Sequence, residues 1–130
     1  MEQQTLQQTE RISEQEISEL VDKFYAKVRQ DEEIGPIFNA VVDDWPYHLT
    51  LLKNFWSTVL NTTGRYKGDP MMKHLQLSLD PPHFRRWLEL FEQTARETMQ
   101  PDHAELVVTK AERIAQNFLA GIAYVKGQAV

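Results

Sequence analysis

Apolar residues recur at the three- and four-residue spacing of an α-helix face in four separate stretches of the sequence. This spacing is the feature that most restricts the fold, because it selects helices whose apolar sides must be buried against one another. No stretch alternates convincingly with the two-residue period of a strand. The pattern therefore predicts an all-α protein with four main helices and two short ones.

Helix boundaries follow from capping residues and prolines. Ser13-Glu14-Gln15-Glu16 is an S-x-x-E capping box, so the first helix should begin there and stop at Asp31-Glu32-Glu33. A short helical turn is predicted over 36–42 and the second long helix over about 46–60. A short helix is expected over about 70–77, and the last two long helices after Asp80-Pro81-Pro82 and from Pro101.

Length and composition indicate one globular domain. The chain has 130 residues, and we expect a disordered tail over 1–12 and a single domain over 13–126. With 14 basic and 19 acidic residues the net charge is −5, which disfavours nucleic-acid binding. No apolar run approaches the roughly 20 residues of a membrane span. The simplest expectation is a cytoplasmic monomer that does not bind membranes.

The sequence contains no cysteine, which narrows the chemistry. Zinc–thiolate sites, iron–sulfur clusters, thiol nucleophiles and covalent haem attachment through C-x-x-C-H are all excluded. Gly64-x-x-x-Gly68 is not followed by Lys-Ser or Lys-Thr, so it is not a Walker-type phosphate loop. Glu89 and Glu92 lie on the polar side of their helix and are expected to be solvated. The pair Arg85-Arg86 is most simply charged surface.

The histidines are the most discriminating residues because there are only 4. We expect His103 and His83 to be exposed, the second near a helix start. His48 shares the apolar side of its helix, as a buried neutral histidine would. His74 lies among methionines and leucines on a short segment between prolines. It is either a boundary histidine or a metal ligand, and residue spacing alone favours the former.

Three residues with polar tips come from three different helices, each within an apolar stripe: Tyr25, His48 and Trp87. In an arbitrary helical protein they would pack in the core with their polar atoms on backbone carbonyls. Their combination with His74 also fits a small polar site inside an apolar cavity. Both interpretations stay open at this point, and the first corresponds to a cofactor-free helical interaction module.

Several motifs, in this order and at these separations, resemble the truncated haemoglobins, and most closely those of group III. The resemblance covers roughly residues 14–125. The motifs are Phe24-Tyr25, Gly35-Pro36-Ile37-Phe38, Trp45-x-x-His48, Asn54-Phe55-Trp56, the run from Gly64 to Leu75, and Phe84-x-x-Trp87-Leu88-x-Leu90-Phe91.

This resemblance implies a globin-like, two-over-two helical sandwich around a b-type haem. It implies that His74 is the proximal iron ligand, that Tyr25 and Trp87 form the distal hydrogen-bonding pair, and that His48 is a gate near the haem edge. Lys73 or Arg65 would meet a haem propionate. The resemblance places the pocket walls at Phe24, Phe38, Leu52, Phe55, Tyr66, Met71, Leu75, Phe84, Phe91 and Ile114.

The function expected from the resemblance is binding of dioxygen, nitric oxide, carbon monoxide or a similar small ligand. An indole N–H donates a hydrogen bond but does not coordinate iron, so Trp87 would stabilise a ligand without blocking its site. Two versions are open: a protein that only binds, or one that detoxifies nitric oxide or peroxide. The second needs an external reductase, because the chain has no flavin or nicotinamide motif.

Overall fold

The computed structural model describes residues 12–66 and 80–128, and within them every regular element is a helix. The all-α prediction is confirmed. The elements are α1 (Glu14–Gln30), α2 (Gly35–Val41), α3 (Trp45–Asn61), α4 (Pro81–Thr98) and α5 (Pro101–Gln128). The short helix predicted over 70–77 lies outside the described residues.

Helix α1 begins and ends where the sequence predicts. The Ser13 Oγ accepts from the backbone N–H of Glu16 at 3.1 Å, and the Glu16 carboxylate accepts from the Ser13 N–H at 3.2 Å. This reciprocal pair satisfies two N–H groups that have no partner within the helix. At the other end the Asp31 carboxylate accepts from the N–H groups of Glu33 and Ile34, at 3.0 and 3.1 Å.

Prolines mark the first turns of α3 and α4. Helix α3 begins at Trp45, one residue before the predicted start, because the Asp44 carboxylate caps it by accepting from the Tyr47 N–H at 3.1 Å. His83 was expected to be exposed near a helix start. It is half-buried in the first turn of α4, where its Nδ1 accepts from the Asp80 N–H at 2.9 Å.

Helix α1 lies at the centre of the packing, against α2, α3 and α4, while α4 packs on α5. Its entire apolar stripe, including Phe24 and Tyr25, is buried. Ile12, which we assigned to the tail, is only 2% exposed, and its carbonyl accepts from Asn61, so the packed domain includes it. None of the helices in the described ranges has the length and apolar content to cross a membrane.

His103 is the clearest departure from the sequence prediction. It was expected to be exposed, but it is 3% exposed, and its Nδ1 lies 2.8 Å from the carboxylate of Glu16. The first turn of α5 meets the first turn of α1 through this contact, which buries a polar residue that directly follows Asp102. Leu106, an apolar residue of the same helix, is 40% exposed.

An ion pair connects the end of α1 to α4. The Arg86 guanidinium lies 2.7 Å from Asp31, whose side chain is 7% exposed. Burial acts to raise the pKa of Asp31, but hydrogen bonds from Arg86 and from two backbone N–H groups outweigh it, and the net pKa is lowered. Arg86 therefore has a structural partner on α1.

Candidate functional site

A cavity with about 590 Å³ of empty space, part of it open to solvent, lies among α1, α3, α4, α5 and the segment that follows α3. Its wall is almost entirely apolar and aromatic. It is lined by Tyr25, His48, Leu51, Leu52, Phe55, Trp56, Tyr66, Trp87, Ile114 and Phe118. The three polar-tipped residues selected from the sequence thus share one cavity.

Tyr25 and Trp87 form a hydrogen-bonded pair across α1 and α4. Tyr25 is 2% exposed, and burial raises the pKa of its phenol well above the ordinary value of 10.0. The hydrogen bond with the Trp87 side chain acts in the opposite direction but does not offset the burial. Since an indole N–H only donates, the phenol oxygen accepts, and the neutral phenol keeps its own proton to donate.

Stacked rings fix the indole of Trp87. Its ring lies 5.5 Å from that of Phe91 at an interplanar angle of 17°, and Phe91 in turn stacks on Trp56 at 5.2 Å. Phe24 meets Trp87 edge-on at 5.3 Å. A ring packed against two aromatic neighbours loses little freedom when its N–H points at a partner, so the donor is preorganised.

His48 lies on α3, half-buried, and its ring meets two other aromatic rings edge-on. The ring centroid of Trp45 is 5.5 Å away and that of Tyr25 is 6.4 Å away, each at an interplanar angle of 88°. His48 was expected to be buried, and it instead has part of its surface in solvent. This places an imidazole beside the buried phenol.

The segment after α3 completes one side of the cavity. The Tyr66 N–H donates to Thr58 Oγ at 3.0 Å, and the Tyr66 ring meets Phe55 edge-on at 5.5 Å. Arg65, a candidate for a propionate contact, instead pairs with Glu14 at 2.8 Å. The segment is therefore attached to the start of α1 on one side and to α3 on the other.

The predicted wall residues divide into three sets. Those that line the cavity are Leu52, Phe55, Tyr66 and Ile114. Those that are buried in the core without lining it are Phe24, Phe38, Phe84 and Phe91. Those that lie outside the described residues are Met71, Lys73 and Leu75, together with the proposed iron ligand His74.

Sequence reasoning missed three lining residues. Trp56 and Phe118 stand four residues after Leu52 and Ile114, so helical spacing carried a signal for both. Leu51 was not included in the apolar stripe of α3, although it stands three residues after His48 and four before Phe55, so helical spacing carried a signal for it too.

The cavity fits a flat, largely apolar cofactor with a small polar ligand beside it. Aromatic and aliphatic side chains form the walls, and the polar atoms come from Tyr25, His48 and Trp87. Among the described residues no three His, Asp or Glu side chains converge on a point. A haem needs one imidazole ligand and not such a cluster. His74, to which the resemblance assigns that role, lies outside the described residues.

The sequence profile of the bacterial-like globin family matches residues 10–119 of the chain. The group 3 truncated haemoglobin of Campylobacter jejuni is 35% identical over 114 residues, which span 84% of this chain and 90% of the relative.

Comparison with solved structures gives the same family assignment. The crystal structure of the group III truncated haemoglobin from Campylobacter jejuni superimposes with a TM-score of 0.80 over 87% of this chain and 93% of its own, at 35% identity. The group II truncated haemoglobin from Bacillus anthracis gives a TM-score of 0.72 at 28% identity, over 82% of this chain and 84% of its own. The chain therefore belongs to the bacterial-like globin family, within the group III truncated haemoglobins, and this membership implies haem-based ligand binding.

Proposed function

We propose that the chain binds haem b in the cavity and holds dioxygen or another diatomic ligand beside Tyr25, Trp87 and His48. The observation that carries the proposal is the placement of these three polar tips, from three helices, in one otherwise apolar cavity. An apolar pocket with a few convergent polar groups is the usual form of a small-ligand site.

Some of the residues that would hold the cofactor lie in the described ranges, and the others lie in the segment between those ranges. His74 would supply the axial imidazole, and Lys73 would meet a propionate, while Leu52, Phe55 and Ile114 would cover the apolar ring. A haem with one axial imidazole supplies an open coordination position for a small ligand. Arg65 is the weaker candidate for a propionate contact because its guanidinium already forms an ion pair with Glu14.

The distal residues would slow ligand release. The indole N–H of Trp87 and the O–H of Tyr25 are the donors in the cavity wall, and the indole is fixed by its stack on Phe91. The indole N–H donates to the Tyr25 oxygen, and a bound ligand would share this donor. A hydrogen bond of this kind contributes about 1 to 3 kcal/mol, or roughly ten- to hundredfold in a release rate. Slow release suits sensing or scavenging better than transport.

Ligand binding requires less of the chain than turnover does. Conversion of nitric oxide to nitrate, or reduction of peroxide, would need electrons from a separate reductase, and no donor motif is present in the sequence. We propose a cytoplasmic monomer with haem and small gaseous ligands as partners. The net charge of −5 disfavours nucleic acid as a further partner.

Absorption spectra of the ferric, ferrous and carbon monoxide forms test the proposal. The purified protein should show a Soret band that shifts when carbon monoxide is added to the reduced form. His74→Ala should lose most of the haem, whereas His48→Ala should keep it. Equal haem retention in the two variants would overturn the assignment of His74 to the iron and of His48 to the distal side. A folded, colourless protein that refuses added hemin would favour a cofactor-free interaction module.

A further inference from the structure

One residue beside the cavity has no role in the proposed function. Trp45, the first residue of α3, is 8% exposed and does not line the cavity. Its indole Nε1 donates to the Asn39 side-chain oxygen at 3.2 Å, and the Asn39 amide donates to the Arg29 carbonyl at 3.1 Å. The Arg29 guanidinium carbon stands 4.8 Å from the centre of the Trp45 ring. The ring is thus held by a hydrogen bond at its edge and a cation over its face.

The held ring in turn contacts two residues of the proposed distal site. The Trp45 ring lies 5.5 Å from the half-buried His48 ring, edge to face, and 6.0 Å from the buried Tyr25 ring. His48 lines the cavity and keeps part of its surface in solvent. An imidazole at such a boundary can rotate outward unless a neighbour favours the inner position.

We infer that Trp45 is a positioning residue for ligand entry: held by Asn39 and Arg29, it keeps the His48 ring edge-on beside Tyr25 and so narrows access to the cavity. The inference rests on the proposed function. An edge-to-face aromatic pair shifts such a conformational equilibrium by roughly two- to tenfold. Loss of the Trp45 ring should therefore speed entry by a factor in that range.

The first test is the association rate of carbon monoxide with the reduced, haem-loaded protein after flash photolysis. Trp45→Leu should raise the rate by roughly two- to tenfold, because the edge-to-face contact with His48 is lost. Trp45→Phe keeps a ring at this position, so its carbon monoxide association rate should be close to that of the wild-type protein. Tyr47→Ala, a matched control on the 62% exposed residue of the same helical turn, should leave the rate unchanged.

Repeating the measurement in the His48→Ala variant distinguishes positioning of His48 by Trp45 from a merely structural role of Trp45. If Trp45 acts through the imidazole, Trp45→Leu should have almost no further effect once the imidazole is absent. Equal acceleration in both backgrounds would overturn the inference, because Trp45 would then be acting through general loosening of the wall.

A second readout does not depend on ligand kinetics or on Trp45→Leu folding. Asn39 is exposed, so Asn39→Ala removes one support of the indole at little cost to the core. The ring protons of His48, observed by NMR, should move because the Trp45 ring current changes, while those of the distant His103 should not. An unmoved His48 signal would overturn the inference. If the protein refused hemin, the proposed function would fail, and this spectrum of the cofactor-free protein would still decide the Trp45–His48 contact.

Discussion

Trp87 and Tyr25 are joined by a hydrogen bond, and this pair carries the first prediction at the scale of single residues. Trp87→Phe keeps a ring to stack on Phe91 but removes the N–H donor. Dioxygen should leave the haem-loaded variant roughly ten- to hundredfold faster, since one hydrogen bond in a dry pocket is lost. Stopped-flow replacement of dioxygen by carbon monoxide measures the release rate.

Tyr47→Phe is the control for that prediction. It also removes one hydrogen-bond donor from an aromatic side chain, but Tyr47 is 62% exposed and does not line the cavity. The control should release dioxygen at nearly the wild-type rate. An unchanged rate in Trp87→Phe would show that its indole does not contact the ligand.

Single residues also show what a sequence pattern leaves undetermined. Tyr25, His48 and Trp87 line one cavity, and each lies in the apolar stripe of its helix. An apolar stripe identifies the buried face of a helix but not the element that packs against it. For this reason Phe24 and Phe91, predicted as pocket walls, are buried in the core without lining the cavity. His103 is a polar residue that directly follows Asp102, and nothing local indicated that the start of α1 would cover it.

At the scale of elements, helix ends were predicted better than helix contacts. The capping box of Ser13 and Glu16 and the stop at Asp31 depend on residues within four positions, and the structure confirms them. The partner of Glu16 on α5 is 87 residues away in the chain, a contact that no local rule contains. Glu16 therefore caps α1 and also ties it to α5.

This double role of Glu16 can be tested by Glu16→Gln. Burial acts to raise the pKa of Glu16, but hydrogen bonds from His103 and Ser13 outweigh it, and the pKa is lowered below 4.5. A carboxylate with a lowered pKa in the folded state stabilises the fold above its unfolded pKa, and that contribution is lost as the pH falls through the folded pKa. Glutamine preserves the cap but removes the charge. The variant should lose about 1 kcal/mol of unfolding free energy at pH 7 and less at pH 3.5.

Urea unfolding at the two pH values measures this difference, and Glu19→Gln is its control. Glu19 stands on the exposed side of α1 and pairs only with Lys23, at 3.0 Å, among the contacts described. Its loss should change the unfolding free energy by less than about 0.5 kcal/mol. A Glu16→Gln deficit that stayed constant between pH 7 and pH 3.5 would contradict the charged contact with His103.

The cavity lies at the meeting point of four helices, and this leads to the last prediction. Apolar side chains such as Leu52, Phe55 and Ile114 line it, and a haem bound there would cover them. A haem that binds only the folded chain should therefore stabilise it by mass action, by about 2.7 kcal/mol when free hemin is one hundred times its dissociation constant. Urea unfolding with and without hemin measures the gain, and His74→Ala should show a much smaller one. Equal midpoints with and without hemin in the wild-type protein would mean that the ring does not occupy the interior, whatever colour the preparation has.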